Sequence, residues 1–107
     1  MKAIIYSKEN SASQLVLQEV ERPIINSDQV LIKVNAVSIN AADHRSMQMG
    51  IIPPRKIFGA DVAGVITQVG SLVKNFSVGD EVLGDLSGAG FGGLAEFVAA
   101  PEALIVK

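Results

Sequence analysis

The chain has no cysteine and no tryptophan, one histidine, one tyrosine and four prolines in 107 residues. Without cysteine there are no disulfides, no thiolate zinc sites and no cysteine nucleophile. Such a composition fits a reducing compartment, and the cytoplasm is the expected location. With His44 as the lone imidazole, the usual Cys/His zinc set cannot be assembled from this chain, so no metal is expected. Basic residues are few and scattered, and the formal net charge of −2 argues against nucleic acid as a partner. Long apolar runs are missing too. Nothing approaches the roughly 20 residues of a membrane span, and Lys2-Ala3-Ile4-Ile5 is too short for the apolar core of a signal peptide. No membrane partner is therefore expected. Neither an internal repeat nor a low-complexity tract interrupts the sequence.

Hydrophobic residues make up 49% of the chain, enough for one domain over residues 1–107 that buries about two thirds of the surface of its unfolded chain. Short β-branched runs separated by turn residues predict a mainly β fold, with strands at residues 2–6, 15–20, 30–37, 62–69, 81–83, 94–98 and 103–106. A turn rich in Ser, Asn and charge is expected over 7–13. The clearest alternation lies in 30–37. There Val30, Ile32, Val34 and Ala36 make one wholly apolar face, and Leu31, Lys33, Asn35 and Val37 a mixed one. Five of the ten glycines fall between Gly59 and Asp85, spaced by strand lengths; this is the grammar of a small barrel. Gly64, in mid-strand, predicts a bend, a bulge or a close backbone crossing.

One segment breaks the β pattern. Residues 41–49 favour helix, Asn40 is a good N-cap for it, and Asp43 sits in its first turn, where a carboxylate meets the positive helix end. Gly50 stops the helix, and the following Pro53-Pro54 requires extended chain.

Candidate chemistry is sparse. Gly88, Gly90 and Gly93 satisfy the spacing of a dinucleotide-binding fingerprint, but that motif needs a helix directly after it and an acidic residue about 20 positions on. A strand follows instead, so a plain turn is the favoured reading. Asp43, His44 and Asp61 could in principle meet at a metal, and Asp43 with Asp61 could form a carboxylate pair for acid/base work. The plainer readings are a capping Asp43, a surface His44 and a turn residue at Asp61. Arg45, Arg55 and Lys56 read as solvated, unless a cleft for an anionic cofactor uses them.

Taken together, several short pieces resemble the N-terminal GroES-like domain of the medium-chain dehydrogenase/reductase superfamily, in particular its zinc-independent quinone oxidoreductase branch. They are Met1-Lys2-Ala3, the strand leading into Asn40-x-x-Asp43, the stretch from Gly59 to Ile66, Val69-Gly70, Val78-Gly79-Asp80-Glu81-Val82, and Gly93-Leu94-Ala95-Glu96-Phe97-Val98. Each is weak alone, and their order and spacing are specific. The resemblance implies a GroES-like partly open β-barrel with one or two short helices.

It also implies a site. Zinc-dependent relatives carry a cysteine where this chain has Asn40, and Gly-His-Glu where it has Gly59-Ala60-Asp61, so no zinc is implied. Ala42 replaces a hydroxyl residue that relays protons in those enzymes. In the zinc-free branch the residues matching Asn40, Asp43 and those just after it line the cleft where nicotinamide meets substrate, which implies Asn40, Asp43 and Arg45 as the catalytic residues. Asn40 is thereby implied as a donor to the carboxamide or the substrate carbonyl, and Asp43 as a helix-start anchor. Arg45 falls near a tyrosine of some relatives. The implied reaction is hydride transfer from NADP or NAD in reduced form to a quinone or α,β-unsaturated carbonyl.

The family places a Rossmann cofactor domain after this one. This chain is therefore expected to be inactive alone, to bind no cofactor by itself, and to self-associate through apolar surface meant for the missing domain. Co-chaperonins share the barrel and can carry a Val-Gly-Asp-x-Val turn, which leaves a protein-interaction module without enzymatic activity as the alternative. Asn40-x-x-Asp43 followed by residues 59–64 favours the dehydrogenase reading.

Overall fold

A computed structural model describes the backbone of residues 1–9 and 12–107. β1 (Lys2–Glu9) and β2 (Ala12–Glu19) pair antiparallel as a two-stranded ribbon. The second sheet contains β3 (Gln29–Ser38), β4 (Asp61–Val69), β5 (Glu81–Asp85), β6 (Phe97–Pro101) and β7 (Ile105–Val106). Its strand order is β6-β3-β4-β5-β7, antiparallel throughout. This sheet curls into a partly open, GroES-like barrel, and α1 (Ala41–Met49) is the α-helix that follows β3.

The curl has a local cause. Asn35 is an extra residue on β3 and Thr67 an extra residue on β4, so the ladder between them carries two register shifts. A bulge bends its strand and raises the local twist. The shift at Asn35 also exchanges the faces of β3. Ala36, expected on the apolar face, is exposed, whereas Val37 from the mixed face packs against the core. Gly64 stands opposite Val34 at that bulge. A Cβ there would overlap the Lys33 carbonyl oxygen and lie 2.7 Å from Ile32 Cγ2, so the close backbone crossing anticipated from the sequence is present.

Inside the barrel, Val30, Ile32, Val62, Ile66, Val82, Leu86, Val98, Ala100 and Ile105 form one buried cluster. Each fully buried Val, Ile or Leu side chain contributes about 1.5–3 kcal/mol relative to exposure. A second packed group lies at the ribbon. The Tyr6 and Phe58 rings meet edge to face at 5.4 Å, and Phe58 meets Phe91 at the same distance. Backbone bonds join β1 to the chain around it: Ile4 N–H donates to Leu94 O at 2.8 Å, Tyr6 N–H to Lys56 O at 2.8 Å, and Glu96 N–H to Lys2 O at 3.0 Å.

Three boundaries differ from the sequence expectation. Most of the turn placed at 7–13 is strand, because cross-strand pairing down to Glu9 and Ala12 supplies partners that local propensity does not register; Asn10 and Ser11 lie outside the described residues. The strand expected at 94–98 becomes a single bridge between Ala3 and Ala95, and the ladder on β3 starts later, at Phe97. The last strand begins only at Ile105, since Glu102–Leu104 forms a 3-10 turn.

The Gly64 crossing gives a direct stability test. Gly64→Val is expected to lower the unfolding free energy by about 3 kcal/mol in urea titration. Gly88→Ala, where a Cβ meets nothing within 4 Å, should change it by less than about 0.5 kcal/mol. Equal effects would rule out steric crowding as the reason for Gly64.

Candidate functional site

β3 runs directly into the helix cap. Asn40, extended at φ −130°, accepts the Ala42 N–H on its Oδ1 at 3.0 Å, and Asp43 Oδ2 accepts the Asn40 N–H at 3.0 Å. Two of the helix's orphan donors are thus satisfied reciprocally. The other carboxyl oxygen of Asp43 reaches out of the helix and accepts the Gly59 N–H at 2.7 Å, and the side chain is fully buried. Gly59 has φ +101°, and a Cβ there would lie 2.7 Å from the Leu94 amide nitrogen. Only glycine fits that position. One buried carboxylate therefore ties the start of α1 to the entry of β4.

The remaining side-chain atom of Asn40 points the other way. Its Nδ2 donates to Asp61 Oδ2 at 2.5 Å. Ser38, Asp61 and Asp85 are register neighbours across β3, β4 and β5. These three residues border one end of an open groove of about 520 Å³, which Leu83, Leu104 and Val106 make apolar toward the other end. Two carboxylates directly opposite on neighbouring strands repel, and here each has its own donor. Asp61 takes Asn40, and Asp85 takes the Ser87 N–H at 3.0 Å. The Ser87 backbone N–H, aided by the Ser87 side chain, holds the Asp85 carboxyl below its ordinary value of 3.8.

Of the residues picked out from the sequence, Asn40, Asp43 and Asp61 are brought together by direct hydrogen bonds. Arg45 is not joined to them. It is exposed on α1, and among the described residues no hydrogen bond or ion pair connects it to the cap. Asp43 and Asp61 do not share a proton-transfer geometry, since both oxygens of Asp43 are taken by backbone N–H groups. His44 is exposed, and no group of three or more His, Cys, Asp or Glu side chains stands close enough to hold a metal ion among the described residues. Sequence reasoning missed Ser38 and Asp85 as groove residues. The signal was available only through cross-strand register, since three separate segments contribute one residue each.

A family model described as the alcohol dehydrogenase GroES-like domain matches residues 26–107. The chain belongs to that family. It is 44% identical, over its whole length and 34% of the relative's, to the chloroplast envelope quinone oxidoreductase homolog of Arabidopsis thaliana. It is 39% identical, over 98% of its length and 30% of the relative's, to an NADPH-dependent alkenal/one oxidoreductase from the same plant. Among solved structures, an oxidoreductase from Salmonella enterica in complex with NADP superposes on 99% of the chain and 34% of its own length, with a TM-score of 0.79 at 27% identity. The chain spans about a third of the length of the curated relatives it matches. The GroES-like domain is thus that of an oxidoreductase family within the medium-chain dehydrogenase/reductase superfamily.

The buried bridge can be tested by removing one acceptor. Asp43→Asn places an N–H₂ group against one of two backbone donors, and is expected to cost about 1–3 kcal/mol in equilibrium unfolding. His44→Gln on the same helix, exposed and outside the bridge, should stay within about 0.5 kcal/mol. A neutral Asp43→Asn would exclude the carboxylate as the tie.

Proposed function

We propose that this chain is the substrate-side catalytic domain of an NADPH-dependent oxidoreductase that reduces quinones or α,β-unsaturated carbonyls by hydride transfer. The observation that carries this reading is the state of the Asn40 amide. Its oxygen is fixed by the helix cap and one N–H by Asp61. The second N–H has no partner among the described residues, and it stands beside the polar end of an otherwise apolar groove. A flat apolar frame bearing a conjugated carbonyl is the ligand such a groove accepts, the frame on the leucines and valine and the carbonyl oxygen on the amide.

The reduced nicotinamide, when bound, supplies the hydride. What this chain contributes is orientation. As negative charge builds on the substrate oxygen, a pre-fixed Asn40 N–H stabilises it without reorganising, which is the effect of an oxyanion-hole donor. The same amide fits a nicotinamide carboxamide. The glycine segment 88–93 offers no cradle for the diphosphate of such a cofactor, because it is followed by β6 and not by a helix N-terminus. We place the diphosphate on polypeptide beyond this chain, so that the 107 residues alone turn over no substrate. Zinc has no part in this reading; its support is the donor set, with an amide at Asn40 and a methyl at Ala60. The substrates named for the two plant relatives, quinones and alkenals or enones, share the conjugated carbonyl that the groove would take.

The test is a titration of the ¹⁵N-labelled chain with a benzoquinone or a short enone. The Asn40 side-chain amide and the Ser38 and Asp61 backbone signals are expected to shift at millimolar ligand, and Asn40→Ala to abolish the effect. NADPH oxidation by the 107-residue chain is expected to stay at background. Shifts confined to a second hollow, of about 290 Å³ and lined in part by Ile24, Arg55 and Phe91, or turnover near the roughly 10 s⁻¹ of an ordinary enzyme, would overturn the proposal.

A further inference from the structure

The ribbon presents a second surface, far in sequence from the helix cap. Among the described residues β2 pairs with β1 alone, so it is an edge strand. The direction of its outer backbone groups follows from its neighbour. Ile4 and Tyr6 donate their N–H groups away from β2, to Leu94 O and Lys56 O. Their cross-strand partners, Leu17 and Leu15, sit in the same non-bonded pairs and so turn their own N–H and C=O to the free edge. That edge carries no charge at its centre. Leu15, Val16 and Leu17 are consecutive and 49%, 37% and 62% exposed. Edge strands ordinarily avoid such an unprotected apolar run.

Its sequence is a palindrome, Gln14-Leu15-Val16-Leu17-Gln18. A two-fold contact between identical strands sets residue i against residue j and j against i. Antiparallel pairing centred on Val16 therefore places Leu15 opposite Leu17 of the second copy, and Gln14 opposite Gln18. The outward N–H and C=O groups of Leu15 and Leu17 meet as bonded pairs in this same register. Leu15 and Leu17 share one face of the strand, so four leucines meet across the axis. Glu19 falls opposite Ser13, which keeps the two Glu19 residues roughly 20 Å apart. Charge, hydrogen-bond phase and side-chain pattern select one register.

We propose that β2 is a homotypic docking edge, through which two copies of this chain join by antiparallel β2–β2 pairing about a two-fold axis at Val16. The contact is one strand wide and well below the area of about 1,000 Å² that stable interfaces exceed, so the dimer is a weak and concentration-dependent one. It uses none of the residues assigned to the groove, and it stands whether or not the proposed function holds.

The absence of cysteine supplies the experiment. In a non-bonded antiparallel pair the two Val16 Cα atoms lie about 4.5 Å apart, within the reach of a disulfide. Val16→Cys, under mild oxidation, is expected to form covalent dimer about tenfold faster than Leu72→Cys, although Leu72 is the more exposed site (63% against 37% for Val16). Adding Leu15→Lys and Leu17→Lys to Val16→Cys should bring the rate down to that of Leu72→Cys. In the unsubstituted chain, the Leu15 and Leu17 amides should gain hydrogen-exchange protection as concentration rises. Equal crosslinking rates for Val16→Cys and Leu72→Cys, or amide protection that does not change with concentration, would overturn the proposal.

Discussion

The arrangement at the groove depends on a buried carboxylate, that of Asp43. It is the one polar or charged side chain among the buried described residues, and it closes two different backbone problems with its two oxygens. One oxygen completes the cap of α1. The other takes the Gly59 N–H just ahead of β4. Buried N–H groups left unpaired are costly, so the helix start and the β4 entry cannot separate without exposing both. Asn40 inherits its position from that constraint. Its backbone is held by Asp43, its amide oxygen by Ala42, and its amide nitrogen lands on Asp61.

The groove follows from the sheet in the same way. Bulges at Asn35 and Thr67 curl the β3–β4 ladder, and Gly64 lets the strands approach at the bend. The curl brings Ser38, Asp61 and Asp85 into one row beside the helix cap. Leu83, Leu104 and Val106 extend it as apolar surface. Polar groups at one end and hydrocarbon along the rest is the layout on which the proposed orientation of a conjugated carbonyl rests. The free edge of the ribbon contributes no residue to this groove.

Much of this was legible in the sequence, and the misses share a cause. The cap at Asn40, the end of α1 at Gly50 and the close crossing at Gly64 rest on local chemistry that three or four neighbouring residues fix. The exchanged faces at Ala36 and Val37 were not legible, because an extra residue on one strand shows only against its partner. The late start of β6 at Phe97 has the same origin, since β3 is already paired with β4 and the register on its other side is set by the β1 contacts at residues 94–96. Asp61 read as a turn residue because its donor, Asn40, lies 21 positions earlier. Long-range register is what single-residue preference omits.

The central claim is that Asp43 immobilises the Asn40 amide at the mouth of the groove. Side-chain ¹⁵N relaxation of Asn40 tests it directly. The account predicts an order parameter near the value of about 0.85 found for rigid backbone in the unsubstituted chain, falling below about 0.6 in Asp43→Asn. An Asn40 amide that is equally mobile in both, or equally rigid in both, would contradict it.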